Sequence, residues 1–288
     1  MRVPITKPDG EKTLLYMDGN LNSLLQGAKE VVHNNNTSIV ILNDGKSGLG
    51  KTTLSFQQGI ILDDNFNLSK VHFTPESFLR GLAEAKKGEV IIFDEALVLS
   101  SRSTLSEINK MVVVGMSMIR SKNIFVIFNV NSIFDLDKNL AIFRADFLCH
   151  VYAPSLKERG RFATFFRATD GFDRLKTLYL LGKKYYDYTK PKANFIGRFS
   201  KEFIVDEKEY EKLKQIGVNN FLNQNKKGVT KKEMGRNKMI RHLFNVEGWK
   251  VEKICEISGL KQAMVYTILK NDGKTGFSYD STLQKIDN

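Results

Sequence analysis

The sequence is poor in several residue types and segments, and each deficit excludes a class of protein. Only Cys149 and Cys255 occur among its 288 residues, so no disulfide framework is expected and a reducing compartment suits the chain. The four histidines show no metal-ligand spacing, so we expect no zinc site. No run approaches the roughly 18 apolar residues that a membrane span requires, and residues 1–12 lack the apolar core of a signal peptide. We therefore expect a cytoplasmic protein without a membrane span.

The residues that are abundant predict a globular protein with a basic surface. A hydrophobic fraction of 42%, with 20 phenylalanines, can build a sizeable core, and 26% charged residues favour a well-solvated surface. The formal net charge of +12 favours a polyanionic partner, either nucleic acid or an anionic membrane surface, although net charge alone defines no site. At about 150 residues per domain, the length predicts two unequal domains.

Short apolar runs alternate with helix-like segments through the first half of the chain. Runs rich in Val, Ile and Phe are typical of buried parallel strands when helices lie between them. We therefore predict an α/β fold with a mostly parallel sheet and helices on both faces. Residues 162–182, in which "DGFDR" separates two apolar runs, predict an antiparallel hairpin at the edge of the sheet. The predicted parallel strands lie at 38–43, 70–74, 89–95, 123–131 and 145–152.

The segment "GKSGLGKT", residues 45–52, matches the pattern G-x-x-x-x-G-K-[ST] between an apolar strand and a helix-compatible run. We call it the phosphate loop, because its glycines let backbone N–H groups turn toward phosphate oxygens and the helix dipole adds to their field. Lys51 is expected to reach the β- and γ-phosphates, Thr52 to ligate Mg²⁺ and Thr53 to touch the α-phosphate. A chance glycine-rich loop in another enzyme is the alternative. The predicted cofactors are ATP and Mg²⁺, and the predicted nucleotide-binding residues are Gly45, Lys46, Ser47, Gly48, Leu49, Gly50, Lys51, Thr52 and Thr53.

Two adjacent carboxylates follow the apolar run "EVIIF". At the end of a buried strand, Asp94 can hold the water shell of Mg²⁺, and Glu95 can orient and deprotonate the attacking water. Alternatively, both side chains only cap the following helix. The pair favours a hydrolase over a kinase without excluding a kinase.

Further candidates precede or end the later strands. Asn129 and Asn131 end the run "NIFVIFNVN", where a polar side chain can sense the γ-phosphate or position water; asparagine is also an ordinary turn residue, and we select Asn131. Arg120 and Arg144 each precede a strand. In ring-forming ATPases, an arginine from a neighbouring subunit stabilises charge on the γ-phosphate. Either arginine can equally be an ordinary surface residue.

This order of phosphate loop, aspartate–glutamate strand and further strand with a polar tip resembles the additional-strand, catalytic-glutamate class of P-loop ATPases. Within that class, residues 118–152 are similar in layout to the FtsK/HerA-type DNA-pumping ATPases and their zonula-occludens-toxin-like relatives. The resemblance covers roughly residues 38–203 and implies a RecA-like P-loop NTPase fold. It puts Arg120 at a helix end and Asn131 at the sensor position, where those families commonly have glutamine.

The segment "VEKICEISGLKQAMVYTILKN", residues 251–271, has the spacing of a helix-turn-helix, with Gly259 at the turn. Its inward positions are Ile254, Cys255, Val265 and Ile268. Side chains on the outer face of the second helix can contact base edges or phosphates. Similar trihelical units also serve as protein-interaction modules. The candidate DNA contacts are Lys261, Gln262, Tyr266, Thr267 and Lys270, together with Lys231, Lys232 and Arg236 of the preceding basic segment.

The sequence thus predicts an ATPase domain at 1–205, a charged helix and basic linker at 206–235, and a small all-α helix-turn-helix domain at 236–288. The favoured function is an ATP-hydrolysing translocase on double-stranded DNA, acting as a homo-oligomer that forms a ring if an arginine acts in trans. The alternative is a nucleotide-gated DNA-binding regulator or loader without translocation. A small-molecule kinase is less favoured, because the sequence has no distinct acceptor-pocket motif.

Overall fold

The computed structural model describes residues 1–94, 115, 119, 122–155, 158–226 and 231–270. Between residues 220 and 234 it describes only the backbone of these ranges. The chain divides into two units, Met1–Leu222 and Asn223–Asn288. No helix within these described ranges is long and apolar enough to cross a membrane.

A seven-stranded sheet forms the centre of the first unit. The five strands β3 to β7 pair in parallel in the order β4-β5-β6-β3-β7, and β8 and β9 extend the sheet with antiparallel pairing. A separate antiparallel hairpin, β1-β2, lies at the N-terminus and was not predicted. The predicted mostly parallel α/β sheet is confirmed. The strands are β1 (Arg2–Thr6), β2 (Lys12–Tyr16), β3 (Ile39–Asp44), β4 (Val71–His72), β5 (Val90–Asp94), β6 (Phe125–Asn129), β7 (Phe147–Tyr152), β8 (Arg161–Phe166) and β9 (Phe195–Arg198).

Helices cover both faces of this sheet, as predicted. Alternate residues of β3 face opposite sides: Ile41 belongs to a core shared with α1 and α2, and Leu42 to a core shared with α3 and α4. Because both faces are buried, the parallel strands read as continuous apolar runs and not as alternating ones. The helices of this unit are α1 (Gly19–Asn34), α2 (Lys51–Leu62), α3 (Pro75–Glu84), α4 (Arg174–Gly182) and α5 (Glu207–Lys226), the last of which ends beyond the unit boundary.

The predicted hairpin at 162–182 is half wrong. Its first part is strand β8, which pairs with β7, but its second part is helix α4, and β8 pairs on its other side with β9. The side chain of Asp173 accepts a hydrogen bond from Lys176 N at 2.9 Å and caps the helix. Leu175, Leu178 and Tyr179 are buried at helical spacing. The second apolar run of the predicted hairpin therefore forms the buried face of a helix, not a strand.

The second unit contains α6 (Lys231–Asn245), α7 (Val251–Ser258) and α8 (Gln262–Lys270). They share one small core, which includes Ile240, Ile254 and Val265. Helix α7 ends at Gly259, whose φ of +68° lies in the left-handed region that glycine adopts without a steric penalty.

One half-buried histidine gives the stability of the first unit a predictable dependence on pH. Burial, and secondarily the charge of Arg80, lowers the pKa of His72 to about 4, and its Nε2 atom has no hydrogen-bond partner among the described residues. An unfolded histidine has a pKa near 6.5. The unfolded state therefore takes up the proton first as pH falls, so stability present above pH 6.5 is lost toward pH 4, by at most about 1.4 kcal/mol per pH unit. Urea unfolding from pH 7 to 4.5 should show this loss in the native protein but not in His72→Gln.

The exposed His33 of the same unit provides the control. His33→Gln should follow the native pH profile. If His72→Gln did so as well, His72 would not be the group responsible.

Candidate functional site

The phosphate loop joins β3 to α2, and its glycines have the backbone geometry that the sequence predicts. Gly45, Gly48 and Gly50 have φ values of +133°, +78° and +101°, which side-chain-bearing residues rarely adopt. Helix α2 begins at Lys51, and no side chain caps its N-terminus. The first N–H groups of the helix therefore point toward the loop, where an anion would satisfy them.

Lys51 lies folded over this loop. Its ammonium group donates hydrogen bonds to the carbonyl oxygens of Gly45 and Lys46, the latter at 3.1 Å, and lies 3.5 Å from Oδ1 of Asn131. The structure thus brings together two residues that the sequence assigned to the same site from positions 80 residues apart. The role of Asn131 as a sensor stays a prediction.

Thr52 and Asp94 also meet here, with Thr52 Oγ1 donating to Asp94 Oδ2 at 3.0 Å. Asp94 ends β5 and is only 3% exposed. Both groups are hard oxygen ligands of the kind that Mg²⁺ prefers. Across the described residues, no group of three or more His, Cys, Asp or Glu side chains could hold a metal ion. The oxygen atoms of Thr52 and Asp94 would suit a Mg²⁺ ion.

A cavity of about 300 Å³ opens between the loop and α5. Loop residues, Asp94 and Asn131 line one side, and Phe203, Glu207, Glu211 and Lys214 line the other. The latter four come from a part of the chain where no sequence pattern pointed to a site. They are recognisable only from the way the chain folds back over α2.

Tyr210 of α5 is a buried residue of the site that the sequence analysis missed. Its hydroxyl donates to Asp94 Oδ2 at 2.7 Å, and its side chain is almost fully buried. Burial, together with the negative charge of Asp94, raises the pKa of Tyr210 well above its usual value near 10. The phenol therefore stays a neutral hydrogen-bond donor throughout the physiological pH range.

A second missed group, Asp44, fixes the start of the loop. Asp44 ends β3, is fully buried and accepts hydrogen bonds from Ile133 N at 2.8 Å and from the Tyr188 hydroxyl. His150 Nδ1 lies 2.8 Å from its other carboxylate oxygen, and the rings of His150 and Tyr188 stack with centroids 3.6 Å apart. Its position directly before Gly45 was the available signal. Every carboxylate oxygen thus has a partner, which a buried charge requires.

Buried amides tie the strand tips to α2. Asn43 donates to Gln58 Oε1 at 2.7 Å, and Asn129 donates to Ser55 Oγ at 2.9 Å. Asn129 is 1% exposed and engaged in this network, whereas Asn131 is exposed at the loop. The geometry therefore favours Asn131 over Asn129 as the group that can meet a ligand.

The other predicted residues of the phosphate loop differ in their exposure to solvent. Lys46, Ser47 and Gly48 are exposed, Thr53 is half-buried in the first turn of α2, and Leu49 packs against the core beneath the loop. The backbone N–H groups of this stretch, more than its side chains, are therefore available to phosphate oxygens.

Arg144, one of the two predicted arginines, does not join this site. Arg144 ends a π-helical turn, Asn139–Arg144, just before β7. Because β7 runs parallel to β3, Arg144 lies at the edge of the sheet opposite the phosphate loop, which follows the other end of β3. Arg144 therefore cannot reach the loop of its own chain. Arg120 and Glu95 lie outside the described residues.

The predicted DNA contacts on and beside α8 are all exposed: Lys261 just before the helix, and Gln262, Tyr266, Thr267 and Lys270 on it. Two of these polar groups also have local partners. Thr267 Oγ1 donates to Ala263 O at 2.8 Å, and the Gln262 amide lies 3.4 Å from Glu252 Oε1. Arg236 on α6 is half-buried, and the side chains of Lys231 and Lys232 lie outside the description.

Comparison with protein-family models and with curated protein sequences finds no match to this chain. Among solved structures, the Thermotoga maritima RuvB Holliday junction branch migration motor is 12% identical, over 88% of this chain and 86% of that one, with a TM-score of 0.34. The N-terminal domain of zonular occludens toxin from Neisseria meningitidis is 16% identical, over 61% and 98%, with a TM-score of 0.32. The DnaC helicase loader is 13% identical, over 44% and 77%, with a TM-score of 0.25. All three TM-scores lie below 0.5.

Two glycines of the loop should differ in their tolerance of alanine. A Cβ atom on Gly45 would overlap the carbonyl oxygen of Val151, whereas a Cβ on Gly48 would meet nothing within 4 Å. Both positions have positive φ, so each substitution carries a backbone cost of about 1–3 kcal/mol, and only Gly45→Ala adds a clash with backbone. Urea unfolding should therefore show a larger loss of unfolding free energy for Gly45→Ala. Equal losses would mean that the packing of Gly45 on β7 is not a constraint.

Proposed function

We propose that this chain binds ATP with Mg²⁺ at the phosphate loop and hydrolyses its terminal phosphoanhydride bond. The observation that carries this proposal is the convergence of Lys51, Thr52 and Asp94 at one cavity, with the Thr52–Asp94 contact at 3.0 Å and the Lys51 ammonium over the loop. Lys51 and Thr52 belong to the phosphate loop, and Asp94 belongs to the aspartate–glutamate motif. The sequence identified these two motifs independently.

Each group has a role that follows from its chemistry. Lys51 and the N–H groups of the loop stabilise negative charge on the β- and γ-phosphates, and Thr52 and Asp94 hold the metal. The chemistry that a bound Mg²⁺ would supply there is neutralisation of the negative charge on the transferring phosphate. Asn131 orients the γ-phosphate or the attacking water, and Glu95 is the proposed base that takes the proton of that water.

We include a homo-oligomer in the proposal, because Arg144 would need a second copy of the chain in order to act on a γ-phosphate. Since Arg144 lies at the sheet edge opposite its own phosphate loop, it can stabilise the γ-phosphate only in a second copy of the chain. Arg120 is the second candidate for this role. An arginine acting in trans around a closed ring would give the assembly that the FtsK/HerA-type and zonula-occludens-toxin-like resemblance implies.

We further propose that the second unit is a helix-turn-helix that binds double-stranded DNA through α8. Its outer side chains are exposed while Val265, Ile268 and Leu269 are buried, so the polar face of the helix is available to a groove. The net charge of +12 favours such a partner. ATP hydrolysis by the first unit would then drive translocation along DNA.

Steady-state phosphate release from ATP, with and without duplex DNA, tests the ATPase proposal. Lys51→Ala should lower the rate at least about 100-fold, because it removes a cation that stabilises the transferring phosphoryl group. Lys12→Ala, an exposed lysine on β2 and outside the phosphate loop, is the control and should retain activity. Glu95→Gln should also abolish turnover. A native protein that releases no phosphate would refute the proposal.

The same assay separates the two DNA-related functions. Stimulation by DNA supports a translocase. A slow rate that DNA does not change, combined with ATP-dependent DNA binding, would instead support a nucleotide-gated regulator or loader.

DNA binding itself should depend steeply on salt. If six cations meet phosphates, the slope of log K against log salt should be about −5, and Lys261→Ala with Lys270→Ala should reduce its magnitude by about 2. Fluorescence anisotropy of a labelled duplex measures both values. Lys253→Ala is the control, since this lysine packs over the Trp249 ring at 4.2 Å. A double variant with the native slope would exclude α8 as the DNA-contacting helix.

A further inference from the structure

Helix α5 is docked on the first unit by one face, although its sequence is highly charged. The Tyr210 ring lies 5.4 to 5.7 Å, centroid to centroid, from the rings of Phe56, Phe73 and Phe203. Two turns further on, Gly217 packs on Phe73 so closely that a Cβ atom would come within 2.7 Å of Phe73 Cβ. Leu213, between them, packs against the same core. The helix therefore has a fixed register on the site.

This docking determines where the Tyr210 hydroxyl lies. Three neighbouring rings confine the buried phenol and leave it little freedom to move. Core packing therefore holds its oxygen 2.7 Å from Asp94 Oδ2. A hydrogen bond from a neutral donor to a buried carboxylate is strong and directional. It fixes the orientation of the carboxylate.

Asp94 Oδ2 accepts two hydrogen bonds, and the two donors differ in what nucleotide binding would require of them. Thr52 Oγ1 is itself a predicted metal ligand, so its 3.0 Å contact with Asp94 must change when its oxygen turns to a cation. Tyr210 is not a metal ligand, and nothing requires its hydrogen bond to break. It is therefore the partner that can hold Asp94 in place in both states.

We propose that Tyr210 is a positioning residue of the Mg²⁺ site, which orients Asp94 through its hydroxyl and makes α5 part of the nucleotide site. The inference rests on the proposed function, since it concerns the metal that accompanies ATP. A purely structural tyrosine would contribute to the free energy of unfolding alone. A positioning tyrosine also sets the Mg²⁺ concentration that the site needs.

Tyr210→Phe tests this, because it keeps the ring and removes only the hydroxyl. Binding of a fluorescent ATP analogue is measured against Mg²⁺ concentration and, separately, in excess EDTA. The Mg²⁺ concentration for half-maximal enhancement of binding should rise about tenfold, the change that about 1.4 kcal/mol corresponds to. Affinity for the analogue in EDTA should change less than about twofold, because the phosphate loop is untouched.

Tyr179→Phe is the matched control. Tyr179 is equally buried, and its hydroxyl donates to Leu136 O at 2.9 Å, on the opposite face of the sheet from α2. Both variants lose a buried hydrogen bond, and Tyr179→Phe also loses the one that its hydroxyl accepts from Lys183 Nζ at 2.6 Å. Tyr179→Phe should nevertheless keep the native Mg²⁺ midpoint. Gly217→Ala provides a second test that removes no chemical group of the site: its Cβ displaces α5, and Tyr210 with it, from Phe73, so it should also raise the midpoint.

The outcomes separate this inference from the proposed function. A native Mg²⁺ midpoint in both Tyr210→Phe and Gly217→Ala, with Mg²⁺-dependent binding intact in the native protein, overturns the inference alone. Absence of Mg²⁺-dependent nucleotide binding in the native protein overturns the proposed function and this inference with it. A raised midpoint in Tyr210→Phe but not in Tyr179→Phe supports the role of Tyr210.

Discussion

The site depends on the in-register parallel pairing of β3, β6 and β5. Asn43, Asn129 and Asp94 lie opposite one another at the ends of these strands, so the residues that follow emerge at one edge of the sheet. A slip of β6 by one residue would exchange the buried faces of Phe128 and Asn129 and place an aromatic ring where an amide bonds to Ser55. Packing on two apolar cores therefore fixes the register, and the register fixes the distance between the phosphate loop and Asp94.

Buried polar groups then hold the loop from both sides of the sheet. The carboxylate of Asp44, directly before the loop, contacts Ile133, His150 and Tyr188. The hydrogen bond between Asn43 and Gln58 joins β3 to α2. Burying these groups would be costly if they lacked partners, and here each has at least one. The result is a loop whose backbone is arranged before any ligand arrives, so little ordering entropy remains to be lost on binding.

The segment after β9 completes the site by crossing α2. The Phe199 ring packs against Gly50, and Gln57 donates hydrogen bonds to Ser200 and Glu202 at 2.9 to 3.0 Å. The chain then enters α5, whose Tyr210 reaches Asp94. Residues separated by more than a hundred positions thus share one carboxylate. Because of these long-range contacts, α5 forms one wall of the candidate site. The sequence had assigned this segment only to a charged helix and linker.

The sequence by itself determined the features that depend on local chemistry: a loop that requires glycine at positive φ, strands that read as apolar runs, and a helix pair around Gly259 with its buried stripe. Tertiary structure decided the order of the strands, the helical state of Arg174–Gly182, and the meeting of Tyr210 with Asp94 and of Asp44 with His150 and Tyr188. It also decided that Arg144 lies at the edge of the sheet opposite its own loop. The reason is physical: backbone conformation and side-chain periodicity are set by neighbours in the chain, whereas these contacts arise only when distant segments pack against one another.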